Sequence, residues 1–215
     1  RALAALGLRP QRAAPVSRLG YWRIGGPADL FVEVHDEAQL SVALTVAGDA
    51  PITVLGNGSN LLVSDRGIRG LTLRLVGAFR NSGLGRDAAG PWVDAGGGLM
   101  NTVLLARLGR AGCAGLAALA GVPGTIGGAV RMNAGTHLGE IGDRVVHVDI
   151  VTGAGVARRL GPGDLDFAYR WTQLPPGAII TRARLRLHDD PAEVAAEREA
   201  VATHLARRRA TQPLD

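Results

Sequence analysis

Two glycine-rich stretches carry the residue types that hold an anion. In "LGNGSNLL" (55–62), Gly56 and Gly58 let the backbone curl directly after a β-rich run, so that successive N–H groups form a nest suited to an oxyanion. Asn57, Ser59 and Asn60 add short polar side chains able to complete a phosphate or ribose contact. The spacing is not a dinucleotide fingerprint, because Leu61 stands in place of the third glycine, and a GKS or GKT phosphate loop is absent. A plain Asn-Gly turn would explain this stretch taken alone. The second stretch, "AGVPGTIGGAVRMNAG" (120–135), adds a proline that fixes the entry and Gly124, which permits close backbone approach. "TIGGAV" then starts a helix whose free N–H groups point back into the loop, a position that fits a phosphate. Two such nests suit the paired phosphates and flat ring of a flavin dinucleotide.

The elements that must position these loops alternate along the chain. "ADLFVEV" (28–34) reads as a strand, Asp36 caps a helix over "EAQLSVALTVA", and Gly48 stops it. "PITVLG" (51–56) and "LTLRLV" (71–76) are short β-rich runs. The glycine-rich "GLGRDAAG" reads as a connector, with a lobe boundary near residue 80, before "PWVDAGGG" runs as a strand into a helix over "LMNTVLLARLGRAG". In the second lobe "RVVHVDIV" (144–151), "GVARRL" (155–160) and "AIITRARLRL" (178–187) alternate partly between apolar and polar residues, the mark of an antiparallel sheet with one face on a core. Asp190, Pro191 and Glu193 signpost a last helix whose Val194, Val201 and Leu205 share a face. Arg207, Arg208 and Arg209 at its end suit the helix dipole.

Composition narrows the function classes. A chain of 215 residues with 47% apolar residues can bury one core or two packed lobes, and 31 glycines is about twice the usual fraction. The formal charge is +5 with arginine as its sole strong base, since no lysine occurs; arginine favours forked recognition of phosphate and carboxylate. Aromatics are only 4% and do not interleave with the arginines, which argues against nucleic acid. The single cysteine, Cys113, sits among small residues and reads as a buried packing residue, in keeping with a cytoplasmic chain. His35, His137, His147, His188 and His204 have no metal-site spacing, no run is long enough to span a membrane, and a monomer is expected.

Five motifs, in order and spacing, turn these readings into a resemblance covering nearly the whole chain. "RIGGPAD" (23–29), "LGNGSNLLVSD" (55–65), "GVPGTIGGAVRMNAG" (121–135), "FAYR" (167–170) and "RRRATQPL" (207–214) resemble the UDP-N-acetylenolpyruvoylglucosamine reductase (MurB) family. The resemblance implies an α+β, two-lobed FAD-binding fold of the vanillyl-alcohol-oxidase (PCMH-type) class, with lobes at 1–79 and 80–215. It implies that NADPH reduces the flavin and that hydride passes from flavin N5 to the β-carbon of the enolpyruvyl nucleotide sugar, giving UDP-N-acetylmuramate for peptidoglycan synthesis. By position, Gly56, Asn57, Gly58, Ser59, Asn60, Pro123, Gly124, Thr125, Gly127, Gly128, Ala134, Gly135 and Ile180 would line the FAD, and Arg170 would be the catalytic arginine. Tyr169 beside it reads as packing. A non-catalytic flavin-binding module, or another oxidoreductase of the same flavin fold, would share the cradle.

Three departures from the family pattern stand out. Gly20 and Tyr21 replace a polar pair before the Arg-x-Gly-Gly motif, and Thr136 and His137 replace Ala-Tyr in a wall of the substrate site. The chain also ends at "TQPLD", ahead of the family's serine or cysteine proton donor and of the substrate lobe with its glutamate, so the chain alone is expected to be inactive.

Overall fold

The computed structural model describes Leu3 and residues 7–212. Two sheets organise it. The first takes strands β1 (Gln11–Pro15), β2 (Pro27–Val34), β3 (Ile52–Val54) and β4 (Ile68–Leu75) in the order β1-β2-β4-β3. β2 and β3 both run parallel to β4, while β1 closes the edge antiparallel to β2. Helix α1 (Val16–Leu19) is a single turn, and α2 (Glu37–Ala47) makes the crossover between β2 and β3. The side chain of Asp36 accepts from the Gln39 N–H at 2.8 Å, and Gly48 ends α2 at φ +55°, as the sequence indicates.

A 3-10 turn at Gly77–Arg80 leads into the second sheet. Its strands β5 (Ser82–Asp87), β6 (Gly90–Gly96), β9 (Val145–Val151), β10 (Ala157–Leu160) and β13 (Ile179–Arg186) lie in the order β10-β9-β13-β6-β5, antiparallel throughout. The stretch read as a connector is therefore a β-hairpin. Gly83 and Gly85 interrupt the hydrophobic pattern of its first strand, and Gly85 is required there because a Cβ would stand 2.2 Å from the Trp92 ring.

Helices α3 (Asn101–Arg110) and α4 (Ile126–Arg131) pack on one face of the second sheet, with Leu104, Leu108, Ile126 and Val130 against Val93, Val148, Ile150 and Leu185. Two short hairpins, β7 (Gly135–Thr136) with β8 (Gly139–Glu140) and β11 (Phe167–Ala168) with β12 (Trp171–Thr172), project near the end of α4. The last helix, α5 (Pro191–Thr211), starts at Asp190, whose carboxylate accepts from the Ala192 and Glu193 N–H groups. Val194 on α5 is buried and Val201 and Leu205 are half-buried. Residues 213–215, including the Pro-Leu of the last motif, lie outside the described residues.

The two sheets share apolar contacts. Val151 and Ile179 of the second sheet belong to the same buried cluster as Val32, Leu44, Leu73 and Phe79 of the first. Thr181 Oγ1 donates to Glu37 at 3.2 Å and Ser41 Oγ to the Gly155 carbonyl at 2.9 Å, which ties α2 to the second sheet.

Candidate flavin cleft

A cleft runs between the loop after β3 and the glycine-rich end of β6. It has two adjoining hollows of about 670 and 710 Å³ that share Val54, Gly56, Asn57, Thr125, Gly128 and Arg131 in their walls. All the residues assigned to a cofactor from the sequence line one hollow or the other. Gly127 and Ile180 face the first, and Gly58, Ser59, Asn60, Pro123, Gly124, Ala134, Gly135 and Arg170 the second.

The loop 56–60 is built to present backbone. Among the described residues none of its five N–H groups donates to a protein acceptor, so they remain available to a ligand. The loop is held from behind by the turn at 20–21: the Tyr21 N–H donates to the Gly58 carbonyl at 3.3 Å. A Cβ on Gly58, at φ +62°, would come within 2.7 Å of Gly20 Cα. The packing requirement falls on Gly58; a Cβ on Gly20 would meet only the Val16 and Gly58 carbonyls, at 3.5 and 3.9 Å, so packing does not explain the loss of a polar residue at position 20.

The second segment corrects the reading of a helix with free amides. Ile126 N–H donates to the Leu99 carbonyl at 2.9 Å, and Gly127 N–H to the Gly97 carbonyl at 2.8 Å. Gly128 N–H points to Thr125 Oγ1 at 3.5 Å, the N-cap contact. The first turn of α4 is consumed by the turn that follows β6 and by its own cap. Before the helix, the Gly121, Gly124 and Thr125 N–H groups lack a protein acceptor among the described residues.

The glycines here fall into two kinds. Gly97 and Gly98 let backbones touch, since a Cβ would meet the Ile180 carbonyl at 2.2 Å and the Leu75 carbonyl at 2.3 Å respectively. These two line the first hollow and were read from the sequence only as a strand end. Gly128 is different: a Cβ there would meet only Thr125 Oγ1, at 3.6 Å, and would otherwise project into the cleft. The space in front of Gly128 is left by the protein, which is what a cradle for a bound group requires.

Electrostatically the cleft is one-signed. Arg74, Arg80, Arg107 and Arg131 line the first hollow and Arg131, Arg170 and Arg208 the second, and neither lining holds an Asp or Glu among the described residues. Arg74 is part-buried, and burial pulls its guanidinium down from its ordinary value. Arg208, read from sequence as a dipole complement, also donates to the Gly121 carbonyl and so ties α5 to the second loop. His137 and His204, far apart in sequence, meet with ring centroids 4.7 Å apart beside it. No group of three metal-ligating side chains occurs among the described residues.

Arg170 sits at the tip of the β11–β12 hairpin in the left-handed region, φ +58°. Its side chain donates to the Gly135 carbonyl at 3.4 Å and lies over the Tyr169 ring at 5.3 Å. Tyr169 is 81% exposed, so it supports the guanidinium from the surface and does not pack in the interior as the sequence reading had it. Cys113 is half-buried rather than buried, outside the cleft lining, and burial pushes its thiol up from the usual value, which favours the protonated form.

Comparison with known proteins agrees with this geometry. Residues 28–161 match the FAD binding domain family. UDP-N-acetylenolpyruvoylglucosamine reductase 2 of Symbiobacterium thermophilum is 44% identical over 209 residues, covering 96% of this chain and 66% of that protein. The reductase of Anaeromyxobacter dehalogenans strain 2CP-1 is 41% identical over 205 residues, 94% of this chain and 60% of its own length. The crystal structure of UDP-N-acetylenolpyruvylglucosamine reductase (MurB) from Thermus caldophilus aligns at TM-score 0.77 and 36% identity, over 96% of this chain and 70% of that one. At 16% identity and TM-score 0.55, a VAO-type flavoprotein from Myceliophthora thermophila shares the fold over 75% of this chain and 32% of its own. The chain thus spans about two thirds or less of the curated reductases it matches. Among the described residues no helix is long and apolar enough to cross a membrane.

Proposed function

The chain belongs to the UDP-N-acetylenolpyruvoylglucosamine reductase (MurB) family, within the FAD-binding fold, and from that premise we propose that it holds FAD in its two-hollow cleft and serves NADPH-dependent reduction of UDP-N-acetylenolpyruvoylglucosamine to UDP-N-acetylmuramate. The carrying observation is the run of amides at 56–60 without a protein acceptor, in the wall of a cleft that has open space before Gly128 and is lined by arginines and no carboxylate among the described residues. The amides of 56–60, with those of Gly124 and Thr125, hold the diphosphate. Asn57, Ser59 and Asn60 complete its polar contacts, Gly128 leaves room for it, Gly127 lets the turn pack on the Gly97 backbone, and Ala134, Gly135 and Ile180 border the ring and nucleoside. FAD, when bound, supplies hydride chemistry to the site.

Arg170 supplies the electrostatics. Its fixed fork pairs with the substrate carboxylate and stabilises the negative charge that develops on the enolpyruvyl group as its double bond is reduced. Among the described residues the second hollow holds no carboxylic acid or thiol, leaving His137 and His204 as its titratable proton carriers; this chain by itself is expected to bind FAD without appreciable turnover. Lobes at 1–79 and 80–215, a cytoplasmic location and a monomeric state complete the reading.

The test has two arms. FAD should bind in preference to FMN, since the cleft has room for both halves of a dinucleotide. In an enzyme restored to the length of its relatives, Arg170→Lys should slow oxidation of reduced flavin by the enolpyruvyl substrate at least tenfold, about 1.4 kcal/mol, with flavin reduction by NADPH little changed. Equal slowing of both half-reactions would remove the role given to Arg170.

A further inference from the structure

The left-handed backbone of Arg170 has a counterpart: Asn133, at φ +40°, ends α4. The Ala134 N–H bonds back to the Ala129 carbonyl at 2.8 Å and the Asn133 N–H to the Val130 carbonyl at 3.1 Å, the paired bonds of a Schellman ending with Asn133 as its left-handed residue. Glycine is the easiest occupant of such a position, and asparagine tolerates it while adding a side chain.

That side chain is 1% exposed and fully used. Nδ2 donates to the Ala168 carbonyl at 3.1 Å and to the Glu140 carboxylate, and Oδ1 accepts from the Gly142 N–H at 3.0 Å. Ala168 is two residues before Arg170, and Gly135, whose carbonyl receives the Arg170 guanidinium, is two residues after Asn133. The other strand of the same hairpin is pinned by buried Thr172, whose hydroxyl donates to the Val130 carbonyl in α4. The pocket that seats Asn133 is shaped for it: a Cβ on Gly142 would lie 2.8 Å from both Asn133 Oδ1 and the Phe167 ring.

We propose that Asn133 is a positioning residue for Arg170: its amide locks the β11–β12 hairpin to the end of α4, so that the guanidinium and the glycine cradle at the start of α4 face the cleft as one rigid unit. The proposal deepens the reading of Arg170 as the group that meets the substrate carboxylate and rests on it for its consequence, but the lock itself is tested without substrate. An exposed arginine on a two-residue turn has no other restraint among the described residues beyond the Gly135 contact and the Tyr169 ring. Without the lock its side-chain entropy would return, and a charged group that must meet a carboxylate in one geometry would sample many.

The experiment uses the FAD-loaded 215-residue chain and two variants. Asn133→Gly suits the left-handed backbone and removes only the side chain, while Asn133→Asp keeps an acceptor for Gly142 and loses both donors. Three quantities are read: the rate of trypsin cleavage after Arg170, amide hydrogen exchange across 168–172, and the Arg170 Nε–H resonance, assigned by its loss in Arg170→Lys. In both variants cleavage and exchange at the hairpin should rise at least tenfold and the Arg170 resonance should move to the position of a solvated arginine. Flavin affinity and exchange in 56–60 should stay within twofold. Unchanged cleavage, exchange and resonance in both variants would overturn the proposal. So would a loss of protection spread over the whole chain, which would make Asn133 a general fold residue. Should the lock hold while Arg170→Lys turns over normally, the chemical role of Arg170 fails and the positioning of its hairpin stands.

Discussion

Gly128 separates what the fold needs from what the ligand needs. Most substitutions in a glycine loop confound the two, as at Gly124, where φ is +114° and any side chain strains the backbone whatever is bound. Gly128 lies in α4 with helical backbone, and its missing Cβ has only one ordinary neighbour in the protein. Gly128→Ala should leave the flavin-free chain as stable or more so by about 0.5–1 kcal/mol, from helix propensity alone. The same methyl intrudes on the space assigned to the flavin, so FAD affinity should fall at least tenfold by titration of flavin fluorescence. Unaltered affinity would mean that nothing binds against that turn. Arg170 makes the complementary case. Its left-handed φ costs on the order of 1 kcal/mol that glycine would not incur, so Arg170→Gly should raise the melting temperature by a few degrees while removing the proposed carboxylate partner. A melting temperature that falls would show that the contacts to Gly135 and Tyr169 outweigh the strain.

At the scale of elements, legibility followed whether the partner of a residue was local. The caps of α2 and α5 are written within four residues and were readable, as was the alternation that makes β9, β10 and β13 antiparallel. Hairpin β5–β6 was not, because Gly85 answers to the Trp92 ring across the strand pair. Nor was the fate of the α4 amides, which are taken by carbonyls of residues 97 and 99, distant in sequence. The residues lining the cleft were largely visible as motifs, whereas Asn133, the Gly97–Gly98 floor and Arg131 needed the fold. The same alternation sends Arg182, Arg184 and Arg186 to the uncovered face of the second sheet, where Arg184 forks onto Asp94 with both bonds at 2.7 Å and stacks 3.6 Å over Trp92. The Arg184 hydrogen bonds hold Asp94 below the usual carboxylate range, so its stabilising effect is complete above about pH 4 and is lost as pH falls further. His147 on the same face is pulled below its ordinary value, first by burial and then by Arg159, so folding disfavours its protonated form. Stability from that group is complete above about pH 6.5 and declines as pH falls below it. Urea melts at pH 7, 5 and 3.5 should show both steps. His147→Gln should flatten the upper step, and Asp94→Asn the lower; persistence of both steps in both variants would assign them elsewhere.

At the scale of the whole molecule, the two sheets are joined by contacts of the protein's own side chains. Val151 and Ile179 complete the apolar cluster of the first sheet, and side chains of α2 reach the second sheet. A ligand in the cleft is therefore expected to bind a preformed site and to stabilise the chain by simple linkage, without having to assemble it. At a free concentration one hundred times its dissociation constant, FAD should add about 2.7 kcal/mol. For a chain of this size each kcal/mol is worth about 2–4 °C, so the melting temperature should rise by about 5–10 °C. FMN can engage only part of the two hollows, and at the same concentration it should give less than half that shift. The amide nest at 56–60 sets the contrast: Gly58→Val, which would clash with Gly20 at the back of the nest, should erase the difference between the two flavins along with most of the shift. Thermal melts monitored by circular dichroism, with FAD, FMN or neither, measure all of this on the chain as it stands. Equal shifts from FMN and FAD, or none from either, would mean that the cleft does not hold a flavin dinucleotide through its two loops, and the assignment of 56–60 and 123–128 as its cradle would fall.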